Sequence, residues 1–466
     1  MQINHSELTQ KKIFLYSLGC AKNLVDGEYM SAICRDRGFQ MTSQADDAEI
    51  IVVNTCGFIE SAKQESIGAI LEMAELKDSG HCELLIVSGC LSERYAEEMQ
   101  ADMPEVDAIL GVRNYKDIVT SIEDHYKTAS TADQHEGAFL SKIYRSKQRE
   151  DGLAHMRMPV LHKPSTTHYA YLKIAEGCSN HCAFCAIPGI RGPFQSRKPE
   201  EILAEARDLV EAGYDELIVI AQDSGFYGLD LFRERRLAAL LEELAKVEGL
   251  RWLRVLYLYA AGVNDELLEV YKNNPKVVPY FDIPIQHASD RILRAMDRSE
   301  TTETLRQRFA KIRQELPEAV IRTTVMVGYP GESEADFAEL TDFIREQKFE
   351  MLGCFSFCPE EGTKAFSMPD QVSETVKQER YEKVMELQRE ISHSHLQSFI
   401  GRTIEVKIED VSPDGIYYLG RSAWQNPEVD SHILVLNQSE AEPVLGTRVM
   451  VRIIDADNYE LTGVML

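Results

Sequence analysis

Three cysteines fall within eight residues in Cys178-Ser179-Asn180-His181-Cys182-Ala183-Phe184-Cys185. Thiolates are the ordinary ligands of iron–sulfur clusters. Three of them on a four-iron cluster leave one iron without a protein ligand. That iron can take a small molecule, by the logic that gives catalytic zinc sites an open position. The alternative is a zinc site of Cys178, Cys182, Cys185 and His181. It fits less well, because the second, distant CxxC pair of ordinary zinc spacings is missing.

A second set is spread along the first hundred residues. Cys20, Cys56 and Cys90 stand 36 and 34 residues apart, about the length of one βα unit. Each closes a stretch with a strand pattern, and each lies beside a glycine: Gly19, Gly57 and Gly89. If the strands are parallel, their carboxyl ends share one edge, where open α/β sheets bind ligands. The glycines would let backbone approach closely there. The competing reading is three core cysteines packing as small hydrophobes, which repeated placement at strand ends argues against. Cys34, Cys82, Cys354 and Cys358 join neither set and are read as packing residues.

The elements that must position these thiols follow from periodicity. Strand patterns at residues 12–17, 49–54, 84–88 and 107–110 alternate with helical patterns at 24–37, 61–76, 93–99 and 115–126. Repeated βα units imply a parallel, doubly wound sheet. Residues 127–163, with Pro159 near their end and Pro164 just beyond, are polar and aperiodic and read as a linker. A second series follows over 164–394, with strands at 170–174, 216–221, 252–259, 279–285, 321–327 and 352–357. Helical patterns at 199–212, 236–247, 303–315 and 334–347 intervene. Six units predict a partial (β/α)6 barrel, whose carboxyl-terminal strand ends would carry the chemistry. A long charged helix over 372–399 ends at Gly401. Short β-rich runs then predict a small C-terminal β-barrel, with the tail's Tyr and Trp side chains packing its core.

Composition narrows the partners. The chain of 466 residues carries 76 acidic and 50 basic residues, a formal charge of −26. Phosphate contacts supply most non-specific nucleic-acid affinity, so stable nucleic-acid binding is not expected. A basic partner is the better match. No apolar run reaches membrane-spanning length, and Met1 to Lys12 lacks the layout of a signal peptide. Cytoplasmic residence without membrane association is expected, where the ten cysteines serve as metal ligands, catalytic groups or buried packing residues rather than disulfides.

Together the motifs resemble the methylthiotransferase family of radical S-adenosylmethionine (SAM) enzymes. They are Ser17-Leu18-Gly19-Cys20, Asn54-Thr55-Cys56-Gly57, Gly177-Cys178 through Cys185, Asp282–Ser289 and Val327–Glu332. The resemblance covers nearly the whole chain. It implies an N-terminal methylthiotransferase domain (11–126), a radical-SAM core (164–394) and a C-terminal TRAM domain (397–466). It implies two 4Fe-4S clusters, one on Cys20, Cys56 and Cys90, the other on the catalytic, SAM-binding set Cys178, Cys182 and Cys185. The first would carry an exchangeable sulfur to be methylated by one SAM, and the second would generate a radical from another. An electron donor such as flavodoxin or ferredoxin is implied too.

One branch of that family modifies an aspartate of ribosomal protein S-twelve of the small subunit, another an adenosine of transfer RNA. Leu18–Asp26, Cys56–Ile59, Gly420–Ser422 and Pro427–Asp430 look like the ribosomal-protein branch, though Ala21 stands where that branch would carry proline. Residues 401–466 hold eleven acidic and five basic residues, which suits a basic protein better than RNA. A transfer-RNA substrate is the runner-up. A non-catalytic iron–sulfur carrier is the alternative of another class, and a core exceeding 200 residues is more than a carrier needs. Gln222, Asp223, Ser224, Gln286 and His287 end barrel strands. They could line the SAM pocket or merely satisfy loop backbone.

Overall fold

The computed structural model describes residues 8–129, 141–145, 168–438 and 442–466. Contacts divide them into two units. The first runs to Arg145 and adds Tyr171–Asn180 and Cys185–Ala212; the second comprises His168–Ala170, His181–Phe184 and Gly213–Leu466.

Six parallel strands form the first unit's sheet: β1 (Lys12–Ser17), β2 (Gln40–Thr42), β3 (Ile50–Thr55), β4 (Leu84–Gly89), β5 (Ala108–Gly111) and β6 (Lys142–Tyr144). Their order is β2-β1-β3-β4-β5-β6. The central strands β3 and β4 are buried at every residue, as their unbroken Ile/Val/Leu runs require when helices cover both faces. Ile51, Val53, Leu85, Val87 and Ile109 meet Ile70, Met73 and Met99 in one core. The chain reverses its direction of growth between β1 and β3, a topological switch point.

Two strands go beyond the sequence reading. β2 and β6 have three residues each, too few for alternation to register. β6 falls inside the stretch read as a linker; most of that stretch, including Pro159, lies outside the described residues, as does Pro164. The helix expected over 93–99 is two: Cys90–Arg94 and Ala96–Asp102, parted where Tyr95 leaves helical geometry at φ −128°. The first unit also holds most of β7 (Ala170–Lys173), and β8 (Ala175–Glu176) paired antiparallel with β9 (Gln195–Ser196).

In the second unit β10 (Glu216–Ile220) pairs in parallel with β11 (Trp252–Val255), and β12 (Tyr280–Asp282), β13 (Val320–Val327) and β14 (Met351–Ser356) form a parallel trio. A bridge from Leu253 to Val277 links the two groups. Helices Leu237–Ala245, Asp265–Asn273, Thr302–Glu315 and Glu334–Gln347 intervene, as in a partial barrel. The strands expected over 252–259 and 279–285 stop early. Tyr257 and Gln286 turn to φ 61° and 66°, and the Tyr257 N–H donates to the Asp282 carboxylate instead of a ladder carbonyl.

Helix Glu374–Gln397 leads into a closed barrel of β15 (Thr403–Val411), β16 (Tyr418–Arg421), β17 (Ile433–Leu436), β18 (Arg448–Ala456) and β19 (Leu461–Met465), in the order β15-β16-β17-β19-β18. Closure leaves no free sheet edge. Trp424 packs on this core, its ring 4.7 Å from Phe399.

A buried ion network ties this barrel to β10. Arg421 donates to Glu216 Oε2 at 2.8 Å and reaches both oxygens of Glu409, while Arg254 lies 3.3 Å from Glu216 Oε1. Burial alone would raise the Glu216 carboxyl; Arg421 and then Arg254 reverse this and hold it down at about 2. A depressed carboxyl stabilises the fold above its unfolded value and loses that contribution as pH falls toward 2. Glu216→Ala removes the carboxylate that buried Arg254 and Arg421 share, leaving Arg421 with Glu409, and breaking a buried ion pair costs about 3–5 kcal/mol. Urea denaturation is expected to show that loss; an unchanged midpoint would mean that the network is solvated.

Candidate metal and catalytic sites

Each member of the first cysteine set leaves the sheet at its carboxyl edge. Cys20 is the residue before helix Ala21–Asp36, Cys56 follows β3, and Cys90 opens helix Cys90–Arg94 after β4. Their loops interlock. At Gly19, where φ is 89°, an added Cβ would sit 2.7 Å from Cys56 Cβ. At Gly57 it would sit 2.7 Å from the Leu91 N and 2.9 Å from the Cys90 carbonyl carbon. Asn23 staples the loops from beneath, donating to the carbonyls of Leu18 at 2.9 Å and Thr55 at 2.8 Å. Ser66 Oγ fixes the Cys56 backbone, accepting from its N–H at 3.0 Å and donating to its carbonyl at 2.9 Å.

Gly89 takes φ 105° and ψ −153°, a region essentially reserved for glycine. A Cβ there would also come within 2.8 Å of Asn54 Oδ1 and the Thr55 N. Gly89→Ala is expected to destabilise the first unit by at least about 1–3 kcal/mol, read by urea denaturation. Unchanged stability would mean that the turn is not strained.

The three thiols feel one another. Burial raises Cys90 to about 11, Arg191 opposes it, and Cys20 and Cys56 add to the rise. Burial likewise raises Cys56, with a further push from Cys20. Cys20 is open to solvent yet ringed by protein. Burial would raise it, but Lys22, Arg191 and the N–H groups of Asn23 and Lys22 together bring it below the ordinary thiol value. Three converging thiols that resist joint ionisation, with fixed cations beside them, form a donor set suited to a cationic metal centre. Among the described residues no three His, Cys, Asp or Glu side chains are gathered to hold a single metal ion. A lone ion needs its thiolates about 2.3 Å from one point, whereas a four-iron cluster spreads its ligands over several irons.

The second set lies on one connection after β8. Gly177, at φ 77°, admits the Gly192 carbonyl where a Cβ would stand 2.6 Å away. The Cys178 N–H donates to that carbonyl at 2.9 Å, and Ser179 Oγ accepts from the Phe194 N–H at 3.2 Å. Within the second unit Cys182 Sγ lies 3.2 Å from the Tyr259 hydroxyl, whose ring is covered by the Arg298 guanidinium at 4.3 Å. The Ala183 N–H donates to the Met296 carbonyl at 3.0 Å. Cys178 and Cys182 are buried and Cys185 half-buried. Three thiols within eight residues suit a cluster with one open iron.

Three family patterns match the chain: the Uncharacterized protein family UPF0004 over residues 12–111, the Radical SAM superfamily over 172–344 and the TRAM domain over 400–466. A protein of Acetivibrio thermocellus named ribosomal protein uS12 methylthiotransferase RimO is 43% identical over 97% of this chain and 98% of its own length. The chain belongs to the RimO family. A RimO of Desulforamulus reducens is 45% identical over 97% of the chain and 98% of that protein, and one of Trichlorobacter lovleyi is 41% identical over 99% of both. Such radical-SAM methylthiotransferases work with SAM and 4Fe-4S clusters. Solved structures share the fold. TsrM from Kitasatospora setae, a radical SAM methyltransferase with cobalamin and a [4Fe-4S] cluster bound, aligns with a TM-score of 0.54 at 12% identity, over 76% of this chain and 74% of that one. The cobalamin-dependent radical enzyme OxsB with aqua-cobalamin bound gives 0.51 at 13%, over 83% and 57%.

Other residues of this RimO-family chain fall into place by contact. Ser224 is engaged by the segment after β11, donating to the Leu256 carbonyl at 2.6 Å. His287 is buried, its Nδ1 accepting from the Ser289 N–H at 2.9 Å. Both satisfy backbone. Cys34, Cys82 and Cys354 are buried, and burial raises their thiols to about 12, 11 and 12; Cys358 Sγ is 3.5 Å from Glu360. The sequence reading passed over Asn23, Asp26, Arg191, Tyr259 and Arg298. Asn23 and Asp26 stand within the motif around Cys20, and Arg191 six residues after Cys185. That adjacency to a ligand motif was the available signal.

Proposed function

We propose that this chain transfers a methylthio group to the β-carbon of an aspartate in ribosomal protein uS12. Cys20, Cys56 and Cys90 would hold one 4Fe-4S cluster, and Cys178, Cys182 and Cys185 a second at which SAM binds. What carries the reading is the meeting of three strand-end cysteines at a sheet's switch point, in a chain 41–45% identical to proteins named for uS12. When bound, the clusters supply an electron to SAM and an open iron for an exchangeable sulfur.

The chain's own residues do the remaining work. Lys22 and Arg191 favour the thiolate at Cys20. Asn23 and Ser66 hold the loops in place so that they need not reorganise. The formal charge of −26 draws a basic ribosomal protein toward the chain. It also disfavours stable nucleic-acid binding, which with the relatives' names places transfer RNA second. A reduced carrier such as flavodoxin or ferredoxin would deliver electrons. No described helix is long and apolar enough to cross a membrane, and we place the reaction in the cytoplasm. The working division is 11–126, 164–394 and 397–466, joined by 127–163.

An anaerobic assay of the reconstituted protein with SAM and a reductant tests this, offering uS12 or unmodified transfer RNA and reading the product by mass spectrometry. A methylthio mass gain on an aspartate of uS12 is expected. A gain on transfer RNA alone would overturn the substrate assignment and keep the chemistry.

A further inference from the structure

Arg191 follows Cys185 by six residues and lies beside Cys90. It ends the short helix Ile187–Arg191 that follows Cys185, and it is 3% exposed. Its Nη2 donates to Asn23 Oδ1 at 2.8 Å and lies 3.5 Å from Cys90 Sγ. Its Nη1 faces Glu176 at 2.9 Å and Asp26 at 3.1 Å. Lys173, equally buried, pairs with the same Asp26 and with Glu176 at 2.9 Å. The group thus holds two carboxylates and two cations, all taken out of water.

The arrangement is asymmetric. Lys173 takes up charge of both carboxylates on one side. On the other side Arg191 keeps a donor edge toward Asn23 and Cys90. A guanidinium stays charged at any working pH, and in a poorly solvated surrounding its field on a neighbouring sulfur is only weakly screened. Asn23 is the same residue that staples the loops of Cys20 and Cys56. One side chain therefore touches the frame of all three thiols while being fixed six residues from Cys185.

We propose that Arg191 is a positioning residue for the site at Cys20, Cys56 and Cys90: a fixed cation, held by Asp26 and Glu176, that stabilises added negative charge there and anchors the segment after Cys185 to that site. The proposal rests on the cluster reading above.

The test is a reduction potential, which a merely structural role would leave unmoved. The full-length chain carrying Cys178→Ala, Cys182→Ala and Cys185→Ala is reconstituted, leaving one centre, and titrated under EPR. Adding Arg191→Gln is expected to shift the one-electron equilibrium toward the oxidised form about tenfold, about 59 mV lower. Arg191→Lys is expected to recover most of that shift. Equal potentials in all three proteins would overturn the proposal. Absence of iron from the triple-cysteine background would instead overturn the cluster reading, and the proposal with it. Should Arg191→Gln alone fail to take up iron, Asp26→Asn is read in its place; removing an opposing anion is expected to raise the potential, and no change or a fall overturns the assignment.

Discussion

Cys182→Ala is expected to stop SAM cleavage, lowering 5′-deoxyadenosine formation by at least about a thousandfold, roughly 4 kcal/mol of barrier. The reason is stoichiometric as much as energetic. In the proposed assignment Cys178, Cys182 and Cys185 supply every protein ligand of this cluster, and the loop carries no further cysteine to replace one. Cys182 is also the member held against Tyr259, at 3.2 Å, so its loss frees the middle of the loop. Iron content is expected to fall from about eight to about four per chain, one four-iron cluster. Circular dichroism should be unchanged, because the loop's backbone bonds, such as Cys178 N–H to Gly192, do not need the Cys182 side chain. Persistent SAM cleavage would remove this set from the chemistry.

Cys56→Ala is expected to behave differently. SAM cleavage should continue, while the methylthio product falls below detection, again at least about a thousandfold. Cys56 lies at the centre of its set, with the Gly19 turn against its Cβ and Ser66 on both its backbone groups. Removing the sulfur leaves those backbone contacts in place, so the fold should hold. The chain should then lose the cluster of the first unit and keep the one on Cys178, Cys182 and Cys185. The pair of variants separates two sites by activity and by iron together. Loss of both activities in Cys56→Ala, with iron and fold otherwise intact, would undo the division of labour.

What the sequence determined lies within a few tens of residues. The apolar runs of Ile50–Val53 and Leu84–Val87 must be buried strands, so the cysteines following them had to fall at strand ends. The CxxxCxxC loop needs only its own eight residues to bring three thiols near one another. Helix limits such as Glu334–Gln347 were legible because Ser333 and Asp336 form a capping box, a local signal. The tail's turns were equally local, and Trp424 packs as its hydrophobicity required.

Tertiary structure decided the rest, because those choices are contacts between residues far apart in the chain. Periodicity specifies that β1 is a strand but not that β3 rather than β2 lies across the switch point. β2 and β6 are strands only because a sheet edge offers them a ladder. Tyr257 leaves its strand because of a partner on a neighbouring segment. Arg421 finds Glu216 from 205 positions away, and Arg191 finds Asn23 from 168. A charged side chain is compatible with almost any solvated surface, so its type alone says nothing of burial. Only the folded chain, by withdrawing water and supplying Asp26 and Glu176, makes Arg191 a fixed cation beside Cys90.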